Sequence, residues 1–137
     1  MTRLRMMIDQ NLASLDETLN DLYPRKIQAV SVFELEPDFH DYTEDPDLIQ
    51  LGRKRRFILL TSDVKSINKS KYPPCTHGGI IKMPGMPSKS EILDRIQKLI
   101  RSGPRYLKEI RGHVTHLTND GATIYKEHDK KVEVRFT

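Results

Sequence analysis

Apolar and polar positions alternate along this chain in blocks of two kinds. Residues 4–8, Leu-Arg-Met-Met-Ile, form a short run that is mainly apolar, which predicts a buried strand. Leu12, Leu15, Leu19 and Leu22 then recur at helical spacing behind Asn11, a good helix cap, and Tyr23-Pro24 closes that helix. Residues 27–33 read as a second strand, and residues 34–44 as an acidic, irregular stretch. Asp45-Pro46 looks like a cap followed by a first-turn proline, opening a helix whose Leu48 and Leu51 face inward beside Ile49. Residues 57–61, Phe-Ile-Leu-Leu-Thr, are the most apolar run and predict a third strand ending in Ser62-Asp63.

Residues 64–77 are polar, basic and broken by Pro73-Pro74, which predicts a loop. Residues 79–83 read as a fourth strand. Ser88 and Glu91 make a capping-box pattern for an amphipathic helix through Ile92, Ile96 and Leu99, ended by Gly103-Pro104. Residues 113–118, 122–126 and 132–136 read as three further strands, with turns at Asp120-Gly121 and at 128–130. Strands alternating with helices imply an α/β fold in three layers: a mostly parallel central sheet with helices on both faces. The tail adds an antiparallel C-terminal extension. We expect one domain over residues 1–137, with its core in 4–101 and the extension in 113–136.

Composition narrows the classes. The chain has 137 residues, 36% hydrophobic and 31% charged, as a globular domain should. No stretch approaches the roughly 20 apolar residues of a membrane span, and Asp9 interrupts the N-terminal apolar run. A single cysteine, Cys75, excludes an internal disulfide and a cysteine-rich zinc site, and fits the cytoplasm. The net charge of +4 permits contact with phosphates without requiring it. Its distribution says more: Arg53, Lys54, Arg55 and Arg56 form a tight run, and Lys65, Lys69 and Lys71 follow. These are candidate nucleic-acid contacts, and the first four equally suit the negative end of a helix dipole.

Open α/β sheets place their sites at the carboxyl ends of strands. Asp9 follows the first strand, Asp63 follows the third, and Asp45 and Asp47 open the helix leading into the third. If strands one and three are neighbours, these carboxylates converge, and like charges so placed call for a cation. Oxygen donors of this kind suit Mg²⁺ or Mn²⁺, which can activate water against a phosphodiester. Each aspartate also has a plainer role as a cap or turn residue. Cys75 with His77 is too local for catalysis. His113 and His116 are three apart on a strand, point to opposite faces, and read as structural.

Four blocks resemble a known group. Met6-Met-Ile-Asp-Gln-Asn-Leu12 is similar to the opening signature of short PIN-like proteins of bacterial toxin–antitoxin systems. Asp45-Pro-Asp-Leu-Ile-Gln-Leu51 resembles their acidic helix start, and Phe57-Ile-Leu-Leu-Thr-Ser-Asp63 their strand ending in Asp. Gly78-Gly-Ile-Ile-Lys-Met83 resembles their later glycine-led strand. The resemblance implies a PIN-like fold and Mg²⁺- or Mn²⁺-dependent ribonuclease activity. It makes Asp9, Asp45 and Asp63 the catalytic, metal-binding carboxylates, with Asp47 in reserve. It further implies RNA and an antitoxin protein as partners, with a homodimer compatible and no membrane. Two departures stand out: Gln10 replaces a Glu, and Lys65 stands where many members have a second Asp. They favour an alternative, a PIN-like module that binds nucleic acid or protein without cleaving. A third reading, a receiver-like or nucleotide-binding domain, needs a lysine near the acidic cleft, and Lys82 lies within the fourth strand.

Overall fold

In a computed structural model of the chain, residues 3–9, 12, 14–36, 45–62, 78–85, 87–102, 104–126 and 130–136 are described, with the backbone alone at 45, 46, 48, 104 and 105. The elements run β1 (Leu4–Ile8), α1 (Leu15–Leu22), β2 (Ile27–Ser31), α2 (Val32–Leu35), α3 (Asp45–Arg55), β3 (Ile58–Thr61), β4 (Ile80–Lys82), α4 (Lys89–Arg101), α5 (Pro104–Ile110), β5 (Val114–Leu117), β6 (Gly121–Tyr125) and β7 (Lys131–Arg135). They build a seven-stranded sheet in the order β2-β1-β3-β4-β5-β6-β7. The first five strands in that order are parallel, and β6 and β7 add on antiparallel. The protein is therefore α/β with a mostly parallel sheet and an antiparallel C-terminal extension.

Strand alternation sorts the apolar side chains into two layers. Leu4, Met6 and Ile8 of β1 pack with Leu60, Ile81, Leu15 and Leu19 of α1, and Ile92, Ile96 and Leu99 of α4. Met7, Leu59, Ile80 and Val114 point to the other face, where Val32 of α2 and Ile49, Leu51 and Phe57 cover them. Helices thus flank both faces. Among the described residues no helix is long and apolar enough to cross a membrane.

Several local expectations hold and several shift. Ser88 caps α4: its hydroxyl accepts from the Glu91 N–H at 3.3 Å while the Glu91 carboxylate accepts from the Ser88 N–H at 3.3 Å. The second strand stops at Ser31, two residues early, because the Ser31 hydroxyl accepts from the Phe33 N–H at 3.2 Å and turns the chain into α2. The first helix starts at Leu15, later than Leu12, and Asn11 lies outside the described residues. Leu22 is 56% exposed rather than inward, because the last turn of α1 sits over β2, the edge of the sheet. There the Asn20 amide donates to the Ala29 carbonyl and accepts from its N–H, both at 2.7 Å, which closes backbone groups that an edge strand would leave open. Asp45 is the first residue of α3 rather than the residue before it. The helix does end at Arg101, Gly103 lies outside the described residues, and Pro104 opens α5, an element the periodicity did not predict; proline suits a first helical turn, whose N–H groups have no partner within the helix.

A glycine is required where β4 begins. Gly79 has a φ of +121°, and a Cβ there would meet the Ile110 carbonyl oxygen at 2.9 Å. The tight entry lets β4 slot between β3 and β5, with Leu59 N–H donating to the Gly79 carbonyl at 2.9 Å.

Candidate active site at the carboxyl rim

The chain steps from β1 out to β2, returns past β1 to β3, and continues the other way through β4 and β5. The winding direction therefore reverses between β1 and β3. A crevice opens at such a point beyond the carboxyl ends of the strands, and open α/β sheets bind ligands there.

Asp9 stands at this reversal. It follows Ile8, which pairs with Leu60 of β3, so Asp9 is level with Thr61. Its N–H donates to the Leu60 carbonyl at 3.2 Å, continuing the ladder by one bond. The Thr61 hydroxyl donates to Asp9 Oδ2 at 2.7 Å, and both residues are buried, at 1% and 4% exposure. A carboxylate this buried is costly unless its oxygens are engaged. The short bond also fixes the rotation of the carboxyl group.

The register extends the row. Thr61 is opposite Lys82, and Lys82 is opposite His116. His116 is opposite Thr123, and Thr123 is opposite Glu133. Directly opposed residues share a face. Asp9, Thr61, Lys82, His116, Thr123 and Glu133 therefore line one face at or near the rim, on the side covered lower down by α2 and α3. Below them on β1, β3, β4 and β5 the same face is apolar: Met7, Leu59, Ile80 and Val114. Lys82 and His116 are half-buried. Burial holds the Lys82 ammonium below its ordinary pKa. Burial, and then the charge of Lys82, hold the His116 imidazole below its own.

Arg95 of α4 braces this rim from the opposite layer. It is 5% exposed. Its Nη1 donates to the Leu117 carbonyl at 3.0 Å and the Pro84 carbonyl at 3.1 Å, and its Nε to Asn119 Oδ1 at 2.7 Å. Leu117 directly follows His116 and Pro84 lies two residues past Lys82, so one guanidinium ties down the ends of both β4 and β5.

The other sequence-derived site residues distribute differently. Asp47 is exposed in the first turn of α3, and only the backbone of Asp45 is described, at the start of the same helix. Asp63, Lys65, Lys69, Lys71, Cys75 and His77 lie outside the described residues. Arg53, Lys54, Arg55 and Arg56 are exposed at the end of α3. Arg56, at φ 61°, turns the chain into β3 while the Phe57 N–H bonds the Gly52 carbonyl at 2.8 Å. That turn lies at the amino end of β3. At about 3.3 Å per residue, the basic run is some 15 Å from the rim where Asp9 and Thr61 meet.

Among the described residues no three His, Cys, Asp or Glu side chains converge as a metal cluster. The donors that do meet, a carboxylate and a hydroxyl, are hard oxygen ligands of the class Mg²⁺ or Mn²⁺ accepts. Their chemistry fits such an ion with Asp9 as the anchor.

Sequence reading singled out Asp9 but passed over Thr61 and Arg95, took His116 as structural, and weighed Lys82 only for a receiver-like or nucleotide-binding domain. The available signal was positional. Thr61 is the last residue of its run and Lys82 the last but one of its own, and the parallel register brings the two level. Comparison with protein-family models, curated proteins and solved structures finds no match.

Proposed function

We propose that this chain is a PIN-like, metal-dependent endoribonuclease, acting as the toxin of a toxin–antitoxin pair. The observation that carries this reading is the buried Asp9 carboxylate, held by Thr61 at the point where the sheet reverses direction. It is the position the resemblance gives to a metal-binding aspartate. The neighbourhood of β1 and β3, on which convergence of Asp9 with Asp63 depends, also supports it.

Asp9 would hold Mg²⁺ or Mn²⁺ together with Asp45 and Asp63, with Asp47 in reserve. Such an ion, when bound, lowers the pKa of a water and offsets charge at the phosphoryl group. The chain's own residues do the positioning. Thr61 orients Asp9 through Oδ2, and the layer of Met7, Leu59 and Ile80 beneath keeps water out from below. RNA is the substrate of this reading and an antitoxin protein its partner.

Cleavage of labelled RNA across a Mg²⁺ and Mn²⁺ titration tests it. Wild type should cleave only with metal, and Asp9→Asn and Asp63→Asn should each lose roughly 100-fold or more. Equal cleavage by wild type and either variant overturns it. One observation favours a second reading, a module that binds without cleaving: Lys82 stands one strand from Thr61 and brings a cation of the protein's own to the rim. Salt-sensitive RNA binding with no turnover in any metal would select that reading.

A further inference from the structure

The rim carries a second group of side chains besides Asp9 and Thr61. Lys82 and His116 are directly opposed on adjacent parallel strands and share a face. Thr123 continues the pair on β6. An ammonium, an imidazole and a hydroxyl side by side form a set of hydrogen-bond donors with positive charge. Of the acidic members of the row, Asp9 stands two strands from Lys82, while Glu133 stands two strands from His116 and directly opposite Thr123, where Lys131 pairs with its carboxylate at 3.3 Å. Both basic residues are half-buried, with their stems against the sheet and their polar ends at the rim. Arg95 holds the strand ends that bear them, so their separation is fixed before any ligand arrives.

We propose that Lys82, His116 and Thr123 form an anion subsite that holds an RNA phosphate further along the backbone from the one presented to Asp9. The subsite rests on the ribonuclease reading above for its substrate. Strands in a sheet lie about 4.8 Å apart, so the middle of the β4–β5 pair is two spacings, about 10 Å, from the middle of the β1–β3 pair. A single phosphate cannot occupy both places; a backbone with a further phosphate can. The subsite therefore selects oligonucleotides over mononucleotides and contributes to binding rather than to bond cleavage. Its contacts are to phosphate oxygens and carry no base preference.

The test uses the full chain without metal, in EDTA, so it does not depend on turnover. Inorganic phosphate, and then a dinucleotide with and without a 5′-phosphate, are titrated while the imidazole proton resonances of His116 and His113 are followed. His113, whose Nδ1 lies 2.9 Å from the Arg111 carbonyl away from this row, is the internal control. The His116 resonance should move with phosphate well before that of His113, and the 5′-phosphorylated dinucleotide should bind more tightly than the unphosphorylated one. Lys82→Gln should weaken phosphate binding roughly tenfold, with Lys82→Arg keeping most of it. Asp9→Asn should lose cleavage but keep this binding, which separates the subsite from the nuclease reading. Equal movement of the two histidines, or unchanged affinity in a folded Lys82→Gln, overturns the subsite. If Lys82→Gln does not fold, the comparison of the two histidines in wild type decides alone.

Discussion

Replacing Arg95 by Met removes a buried guanidinium and keeps most of its aliphatic stem, so the packing of α4 changes little. Three acceptors lose their donor. The Leu117 carbonyl bond is buried, and an orphaned buried acceptor costs about 1–3 kcal/mol. The Pro84 and Asn119 bonds are partly buried, and water can replace them at a lower cost, about 0.5–1 kcal/mol each. Freedom from burying a charge returns part of this. The net loss should be about 3 kcal/mol, out of a total stability of about 5–15 kcal/mol. For 137 residues at about 2.1 cal/mol/K each, the unfolding entropy is about 0.29 kcal/mol/K, so the melting temperature should fall by about 10 °C. In urea, with a slope of about 2 kcal/mol/M, the midpoint should fall by about 1.5 M. Amide exchange should rise first in residues 83–85 and 116–119, where the guanidinium holds the rim. Arg95→Lys should lose nearly as much, because one ammonium cannot span three acceptors. A melting temperature within about 2 °C of wild type would refute the argument that Arg95 braces the strand ends.

Other outcomes follow from the same geometry. Thr115 is fully buried and, among the described residues, its hydroxyl has no hydrogen-bond partner, so Thr115→Val should leave stability unchanged or raise it by about 1 kcal/mol in a urea melt. Gly79→Ala should cost at least about 2 kcal/mol by the same assay, since both its φ and the nearby Ile110 carbonyl oppose a Cβ. His116 is held below its ordinary pKa of 6.5 by burial and by Lys82, so the unfolded chain takes up this proton before the folded one. Stability should therefore fall as pH drops from about 6.5 through the folded value, and His116→Asn should flatten that slope in melts collected across the range. If Asp9 anchors a metal, Mg²⁺ at about 100 times its dissociation constant should stabilise wild type by about 2.7 kcal/mol and leave Asp9→Asn unmoved.

Local pattern alone determined much of this protein. The run at Leu4–Ile8, the capping box at Ser88 and Glu91, the helix behind it and the hairpin at Asp120-Gly121 follow from periodicity and turn chemistry within a few residues. Asp9 was also legible, because it directly follows a buried strand, at the carboxyl end where open α/β sheets place their sites. The boundaries that moved did so for reasons of the same short range: the Ser31 hydroxyl that turns β2 into α2, and Pro104 at the start of α5. Leu22 differed for another reason, since its exposure depends on α1 lying at the edge of the sheet. The tertiary structure decided which strands are neighbours. Thr61 reaches Asp9 across 52 positions of chain, and Lys82 meets His116 across 34, through parallel registers that no periodicity encodes. Hydrophobic period reports which face of an element is buried, whereas strand order and register arise from how those faces pack together. The rim, with its carboxylate, hydroxyl, ammonium and imidazole in one row, exists only after that packing is complete.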